Sequence, residues 1–382
     1  MKFLFFAGCL ILSTIGILFL DNCVETAPKS IEFRGHDIDT SPPFNPWIKI
    51  PADVNGDGLP DIIVGGQKGP LVWYKSPTWE KSHIADGGYD TVDGEVCDMD
   101  KDGDQDIILG GLVWYENPGY KTSESENEWL MHRIAYHGTH DIEIADINSD
   151  GLQDVITRDQ SAFSDPRGDT IFIWYYPSDT AWKHQVINCP DGEGIKVSDL
   201  DLDGDPDIII GGIWYENLGG NSMVDWVKHG FAEFHPNATV DVADINKDGY
   251  VDVVLTPAEL AKQFYKIAWY ESPGHSQVDR WKEHVVTDSV ECVIHSLRVA
   301  DFNQDAYPDI LYAEMHQGMD PDEIVLLLNR KNGEKWDKLV LGTRGSHELE
   351  IIDFDQDGDL DFFGANWSGK YQPLQLWENK MK

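Results

Sequence analysis

Basic side chains are scarce in this 382-residue chain: 29 Lys and Arg stand against 68 Asp and Glu, a formal net charge of −39. That balance excludes a nucleic-acid partner, since such binding rests on neutralising phosphates, and docking on anionic lipid headgroups. Cysteine is scarce too. Of five, Cys9 and Cys23 fall in or beside the N-terminal segment, and Cys97, Cys189 and Cys292 leave an odd number that implies no full disulfide framework. A Cys189–Cys292 bridge is the one pairing to weigh; three small buried residues is the preferred reading. Long apolar runs are lacking except for one, Phe3 to Leu20, which follows Lys2 and ends at Asp21. Residues 1–27 therefore read as an export signal peptide, with an uncleaved membrane anchor as the alternative. The remainder is expected to be secreted or extracytoplasmic. No nucleophile motif is present. Core material is not lacking: a 41% apolar content with 14 Trp excludes a disordered acidic tail.

What is there is one pattern, repeated. Asp53 to Asp61 reads D-x-N-x-D-G-x-x-D and runs into the β-rich Ile62–Gly66. The pattern D-x-[DN]-x-D-G-x-x-D occurs seven times, the sixth with Ala306 in place of its glycine, with steps of 45, 48, 53, 45, 57 and 52 residues between first aspartates. A second landmark follows each loop: Trp73-Tyr74, Trp114-Tyr115, Trp174-Tyr175, Trp214-Tyr215 and Trp269-Tyr270, degrading to Leu327-Leu328 and Leu376-Trp377. A third is Trp followed by His, as in Trp129/His132 and Trp226/His229. One repeat thus supplies four short strands: before the loop, after it, the Trp-Tyr strand and the Trp/His strand. The expected fold is all-β, a single seven-bladed β-propeller of four-stranded blades over residues 31–379. The last repeat lacks its Trp/His strand, and Ile31–Ile38 resembles the missing piece. The N-terminal strand is expected to complete the last blade and so remove an exposed edge.

The loop spacing suits a calcium ion. Positions 1, 3, 5 and 9 offer hard oxygen ligands, a carbonyl near position 7 adds another, and glycine at 6 permits the sharp turn. The expected ligands are Asp53, Asn55, Asp57 and Asp61; Asp98, Asp100, Asp102 and Asp106; Asp146, Asn148, Asp150 and Asp154; Asp199, Asp201, Asp203 and Asp207; Asp244, Asn246, Asp248 and Asp252; Asp301, Asn303, Asp305 and Asp309; Asp353, Asp355, Asp357 and Asp361. Up to seven structural Ca2+ sites follow. The sixth is the doubtful one, because Ala306 stands where the others have glycine. These loops and the strands after them resemble the FG-GAP / VCBS repeat family, whose calcium loops integrin α-chain propellers share. The resemblance covers Phe33 to Asn379. Fungal aldos-2-ulose dehydratase has a propeller similar in kind, and propellers also serve some polysaccharide lyases, so the resemblance admits activity on carbohydrate.

Candidate site residues come from the inner strands and the turns at their starting end. Three positions before each loop stand Ile50, Glu95, Glu143, Lys196, Asp241, Arg298 and Glu350, a ring of charge around the axis. Six before stand Trp47, Val92, His140, Glu193, Ala238, His295 and His347, a ring rich in histidine nearer the mouth. Long turns on that face break the repeat: Arg158–Asp169, Thr256–Lys266, Glu314–Asp320 with His316, and Asn366–Tyr371 with Trp367. The recurring histidines of the Trp/His strands are read as structural instead.

Two functions remain open. The first is a sugar lyase or dehydratase, for which β-elimination needs a base, a cation or metal at the enolate oxygen and an acid for the leaving oxygen. His140 or His347 is the candidate base. Arg298 or Lys196, with Glu143 in the same ring, stabilises charge. His316, His295 or Tyr371 is the acid. Trp47, Glu95, Arg158, Asp241, Glu314, Glu350, Asn366 and Trp367 are candidate sugar contacts. A further divalent metal held by His295, His347 and Glu314 is an additional option. The second function is a non-catalytic, calcium-dependent module that binds a glycan or a protein. Carbohydrate is the expected partner in the first reading.

Overall fold

The period-two strands that the repeats predict are the strands that form. The computed structural model describes residues 31–381, apart from positions 90, 120–127, 138, 160–167, 178–180, 221–222, 236, 259 and 275–279. The expected signal, residues 1–27, and most of the turn after Arg158 lie outside the described residues. Those described hold 28 strands in seven four-stranded antiparallel sheets and no helix. Six sheets take their strands in chain order, and the seventh adds the N-terminal strand Phe33–Asp39 beside the last one. Blade 2 is Gly94–Cys97, Asp106–Leu109, Val113–Glu116 and Leu130–Arg133, with the acidic loop between its first two strands. The innermost strands are Pro46–Ala52, Gly94–Cys97, Asp141–Ala145, Lys196–Ser198, Ala238–Ala243, Ile294–Ala300 and His347–Ile352. Each packs on the inner strands of its two neighbours, and the last packs on the first, so the ring closes.

Closure comes from the N-terminal strand. Phe33–Asp39 pairs antiparallel with Leu374–Asn379, placing Phe33 opposite Asn379 and His36 opposite Leu376. Gly35 is required there, because a Cβ would stand 2.9 Å from the Trp377 ring. The pairing covers an edge whose backbone groups an open sheet would leave to water or to another chain.

The landmarks of the repeat each have a packing reason. The Trp-Tyr strands are blade core: Tyr74, Tyr115, Trp214, Trp269 and Tyr270 are all buried. The Trp/His histidines lie on those tryptophans, with ring centroids 4.1 Å apart for Trp114–His132, 4.6 Å for Trp214–His229 and 3.9 Å for Trp269–His284. Their Nε2 atoms bond Glu116, Glu216 and Glu271 at 2.7, 2.6 and 2.7 Å. Asparagines at the ends of four of those strands latch their blades to the ones before. Asn117, Asn217, Asn329 and Asn379 donate side-chain N–H to the carbonyls of Val54, Ile147, Ile245 and Phe302.

One expectation changes, and one preference holds. The Thr256–Lys266 segment is not a loose turn. Its strands run on, Asp252–Pro257 into Leu260–Glu271, and the latter pairs with Lys282–Cys292 as a long hairpin. The weighed Cys189–Cys292 bridge does not form; both thiols are free.

Candidate functional site

The ninth aspartate of every loop is the most constrained acidic residue in the fold. Asp61, Asp106, Asp154, Asp207, Asp252, Asp309 and Asp361 are fully buried. Each accepts two backbone N–H groups, as Asp207 does from Asn217 at 2.8 Å and Leu200 at 2.9 Å. Its first task is therefore to tie the loop to the third strand. The other loop carboxylates cap the turn: Asp53 accepts from Asp57 N–H at 3.1 Å and from Gly58 N–H at 2.9 Å. Loop 6 closes in the same way despite Ala306, whose N–H reaches Asp301 at 2.8 Å while its φ is held at 75°. The alanine thus carries backbone strain that glycine avoids, and the loop's shape is kept.

Loops 2, 4 and 7 differ from the rest. Each brings three carboxylate oxygens within 4.8 Å of one another: Asp98, Asp100 and Asp106; Asp199, Asp201 and Asp203; Asp353, Asp355 and Asp357. They also carry a further carboxylate at position 7, Asp104, Asp205 and Asp359, where the spacing argument expected only a carbonyl. In loops 2 and 7 the Oδ1 atoms of Asp98, Asp104, Asp353 and Asp359 are buried without a hydrogen-bond partner. Burial among like charges pushes Asp104 and Asp359 up to about 6. Buried, unpartnered carboxylate oxygens facing one another are a donor set that fits a hard divalent cation.

On the axis, six of the seven residues three before the loops line one cavity of about 140 Å³: Ile50, Glu95, Glu143, Lys196, Arg298 and Glu350. By the space one water needs, that is room for roughly ten waters or a small ligand. The cations of this ring are already engaged. Lys196 Nζ is 2.8 Å from Glu143, and Arg298 forks onto Glu350. Burial and the neighbouring Glu143 push Glu95 up to about 8. Asp241 departs from the expected role. Its carboxylate accepts Val299 N–H at 2.7 Å and Val242 N–H at 2.9 Å, bracing blade 5 to blade 6.

At the end where the inner strands begin, three histidines and two glutamates converge. His140 Nδ1 bonds Asp141 at 3.1 Å, and His295 Nδ1 bonds Glu348 at 2.7 Å. The Nε2 atoms of both histidines face Oε2 of Glu193, at 3.7 and 3.4 Å. The His347 ring stacks on His295 at 4.5 Å, and its Nε2 is 3.7 Å from Glu348. All five side chains are buried or nearly so. Burial alone would lower both His140 and His295, but the carboxylates reverse this. Asp141 and Glu193 raise His140, and Glu193 with Glu348 raises His295 well above an ordinary histidine. His347 is held well below, by burial and by the neighbouring His295 and Lys49. Strict alternation would turn residues six before the loop away from the axis. Irregular pairing at Trp47, His295 and between His347 and Glu350 turns them back, and His140 lies just ahead of its strand.

Of the candidate residues on the long turns, few reach this cluster. Trp367 does, its ring 6.4 Å from His347, 6.4 Å from Trp47 and 5.5 Å from His316. His316 stays at the rim, bonded to Ser368 at 3.1 Å. Arg158 is a buried clamp that donates to the carbonyls of Glu193, Gly194 and Pro190, and so positions Glu193 instead of a ligand. Glu314 is in neither metal-compatible histidine group. It accepts Glu323 N–H at 2.9 Å and is pushed up to about 7 by burial. Asn366 donates to the carbonyls of Arg344 and Tyr371, and Tyr371 lies under the Arg344 guanidinium, 4.5 Å away. Both hold their own turn.

The sequence reading missed Lys49, Asp93, Asp141 and Glu348 and gave Glu193 no role. Asp93, Asp141 and Glu348 stand five before their loops, on the same strand face as the charged ring, so period two was the signal that marks them. Asp93 and Asp141 also brace the next blade through Ile142 N–H and Gly194 N–H, each at 3.0 Å. Lys49 Nζ donates to the carbonyls of Pro46 and Trp47, and burial pushes it down to about 8.

An FG-GAP-like repeat model matches residues 53–109, 199–255 and 301–364. No curated protein matches at a significant level. Among solved structures, an Agrocybe aegerita lectin that recognises non-reducing terminal N-acetylglucosamine is similar at 18% identity with a TM-score of 0.53, over 87% of this chain and 84% of that one. BBS1N, solved in complex with ARL6DN, is similar at 13% identity with a TM-score of 0.55, over 90% and 95%. At such identities the likeness is one of fold. With the repeat matched at three places and the same loop and blade plan carried around the ring, this chain is an FG-GAP-repeat β-propeller.

Proposed function

We propose that this protein is a secreted, calcium-stabilised propeller that acts on carbohydrate in its axial cavity as a carbon–oxygen lyase. The observation that carries the reading is the convergence of His140, His295 and His347 with Glu193 and Glu348, of which Glu193, His295 and Glu348 line that cavity. Four blades supply these residues, and a scaffold that only closes a ring needs none of them. The lining favours a neutral sugar over a uronate: Asp93, Glu95, Asp141, Glu143, Glu193, Glu348 and Glu350 outnumber Lys49, Lys196 and Arg298, so an anionic ligand meets repulsion.

In such an elimination a base takes the C–H proton beside a sugar carbonyl, the neighbouring hydroxyl leaves with a proton as water, and a carbon–carbon double bond forms. His347, whose Nδ1 is buried without a hydrogen-bond partner, is the proposed base. His295 or His140, each backed by a carboxylate, is the proposed acid. Calcium in the loops would hold the blades in place, with loops 2, 4 and 7 the strongest sites on donor number.

The test is incubation of calcium-loaded protein with keto-sugars while following ultraviolet absorbance from unsaturated product. The expected result is a signal absent in His347→Ala and His347→Gln at unchanged melting temperature. Full activity in both variants removes His347 as base. Silence of the wild type across the panel favours the second reading, a binding module, which the fold shared with a glycan-recognising lectin and with a protein-bound propeller supports; a glycan array then decides it.

A further inference from the structure

We propose that His140, His295 and Glu193 form a first-row transition-metal site, with zinc as the ion its chemistry favours. The inference stands on the geometry of the three side chains and does not depend on the sugar reading; a bound metal would take the acid role from His140 and His295 and leave His347 as the base. A cation bound tetrahedrally at about 2.0–2.1 Å keeps its ligand atoms roughly 3.4 Å apart. His295 Nε2 and His140 Nε2 stand 3.4 and 3.7 Å from the same Glu193 oxygen. The three donor atoms fall within 4.8 Å of one another, and all three residues are buried.

The opposite face of each ring strengthens the case. A metal-bound imidazole usually gives its other N–H to a carboxylate, which fixes its tautomer and orientation. Both histidines have that backing: Asp141 on His140 Nδ1 at 3.1 Å and Glu348 on His295 Nδ1 at 2.7 Å. Two such pairs aimed at one carboxylate are more than two buried ion pairs require. Glu193 is itself held from behind, since Arg158 clamps its carbonyl. Two imidazoles and one carboxylate disfavour calcium and magnesium, which take oxygen ligands, and suit zinc or a neighbouring divalent ion. His295 and Glu193 also line the axial cavity, so a fourth position opens toward a ligand.

The experiment uses the full chain with its acidic loops saturated by calcium. Zinc is titrated calorimetrically, and cobalt(II) is added separately while the visible spectrum is recorded. The expected result is one zinc equivalent that calcium does not displace, with a cobalt spectrum of nitrogen–oxygen ligation. Affinity should fall at least 100-fold in His295→Ala and in Glu193→Gln. It should fall about 10-fold or more in Glu348→Gln, where only the orientation of His295 changes. His316→Ala, at the rim, should bind as the wild type does. Circular dichroism and melting of the calcium-loaded variants establish that they fold, and the conservative Glu193→Gln reports even where His295→Ala does not fold. Absence of calcium-resistant zinc binding, or the same affinity in wild type and Glu193→Gln, overturns the proposal. Failure here leaves the sugar assay untouched, because that assay reads unsaturated product and this one reads metal alone.

Discussion

The two ends of this propeller are built by opposite rules. At the acidic-loop end all seven blades do the same thing: a turn closed by its first aspartate, and a buried ninth aspartate that holds two backbone N–H groups. At the other end the blades diverge. Four of them send His140, Glu193, His295, His347 and Glu348 toward one point, while blades 2 and 5 offer Val92 and Ala238 at the equivalent position. Repetition marks what every blade needs in order to stack. Departure from repetition marks what one place in the molecule needs. Substitutions at the first end should therefore cost stability, and substitutions at the second should cost binding or activity.

The largest effect should come from undoing closure. Deleting residues up to Asp39 removes the strand paired with Leu374–Asn379. It should abolish a cooperative thermal transition, and a truncated chain that melts like the full one would refute the closure. Next is calcium. Chelation by EDTA should lower the melting temperature by about 10 °C, reversed by added calcium, since several sites each contribute on the order of 2–3 kcal/mol at saturation. Equal melting curves with and without EDTA would reject the loops as cation sites. A single Asp207→Ala substitution strands two buried N–H groups and should cost about 2–4 kcal/mol in denaturant unfolding. His347→Gln should cost far less, and parity between the two would erase the contrast between the ends.

A smaller effect concerns pH. Glu95 is pushed up to about 8 by burial and Glu143, whereas an unfolded glutamate titrates near 4.3. Between those values the folded chain keeps a proton that the unfolded chain has released. This contribution is fully present below the lower value and lost as pH rises through about 8. Glu95→Gln should flatten that part of the stability–pH curve; an identical slope in variant and wild type would show that Glu95 is not the group. The smallest effect is at loop 6. Ala306→Gly relieves a residue at φ 75° and should raise stability by about 1 kcal/mol, visible as a rise of about 1–2 °C. A fall would mean that Ala306 contributes something other than strain.

Blade number, strand order, the closing strand and the acidic loops were legible in the sequence, because each recurs at a readable spacing and repetition averages out local ambiguity. The charged ring three before the loops was legible for the same reason, through strand alternation. Asp93, Asp141 and Glu348 were within reach of that argument, since two residues along a strand return to the same face. Arg158, Glu314, Asn366 and Tyr371 were misplaced because an insertion announces that a turn is unusual without saying which way its side chains point. Arg158 turned to backbone carbonyls of a neighbouring loop, and Asn366 to its own turn.

The sequence by itself determined a closed ring of seven four-stranded blades with an acidic turn in each, since hydrophobic period, turn chemistry and repeat length are local properties. Only the tertiary structure decided that His140 and His295, 155 residues apart in the chain, share the carboxylate of Glu193, because that meeting depends on how three blades pack and on irregular strand pairing that breaks the alternation. Local pattern sets the faces of a strand; the closing of the ring sets which faces meet.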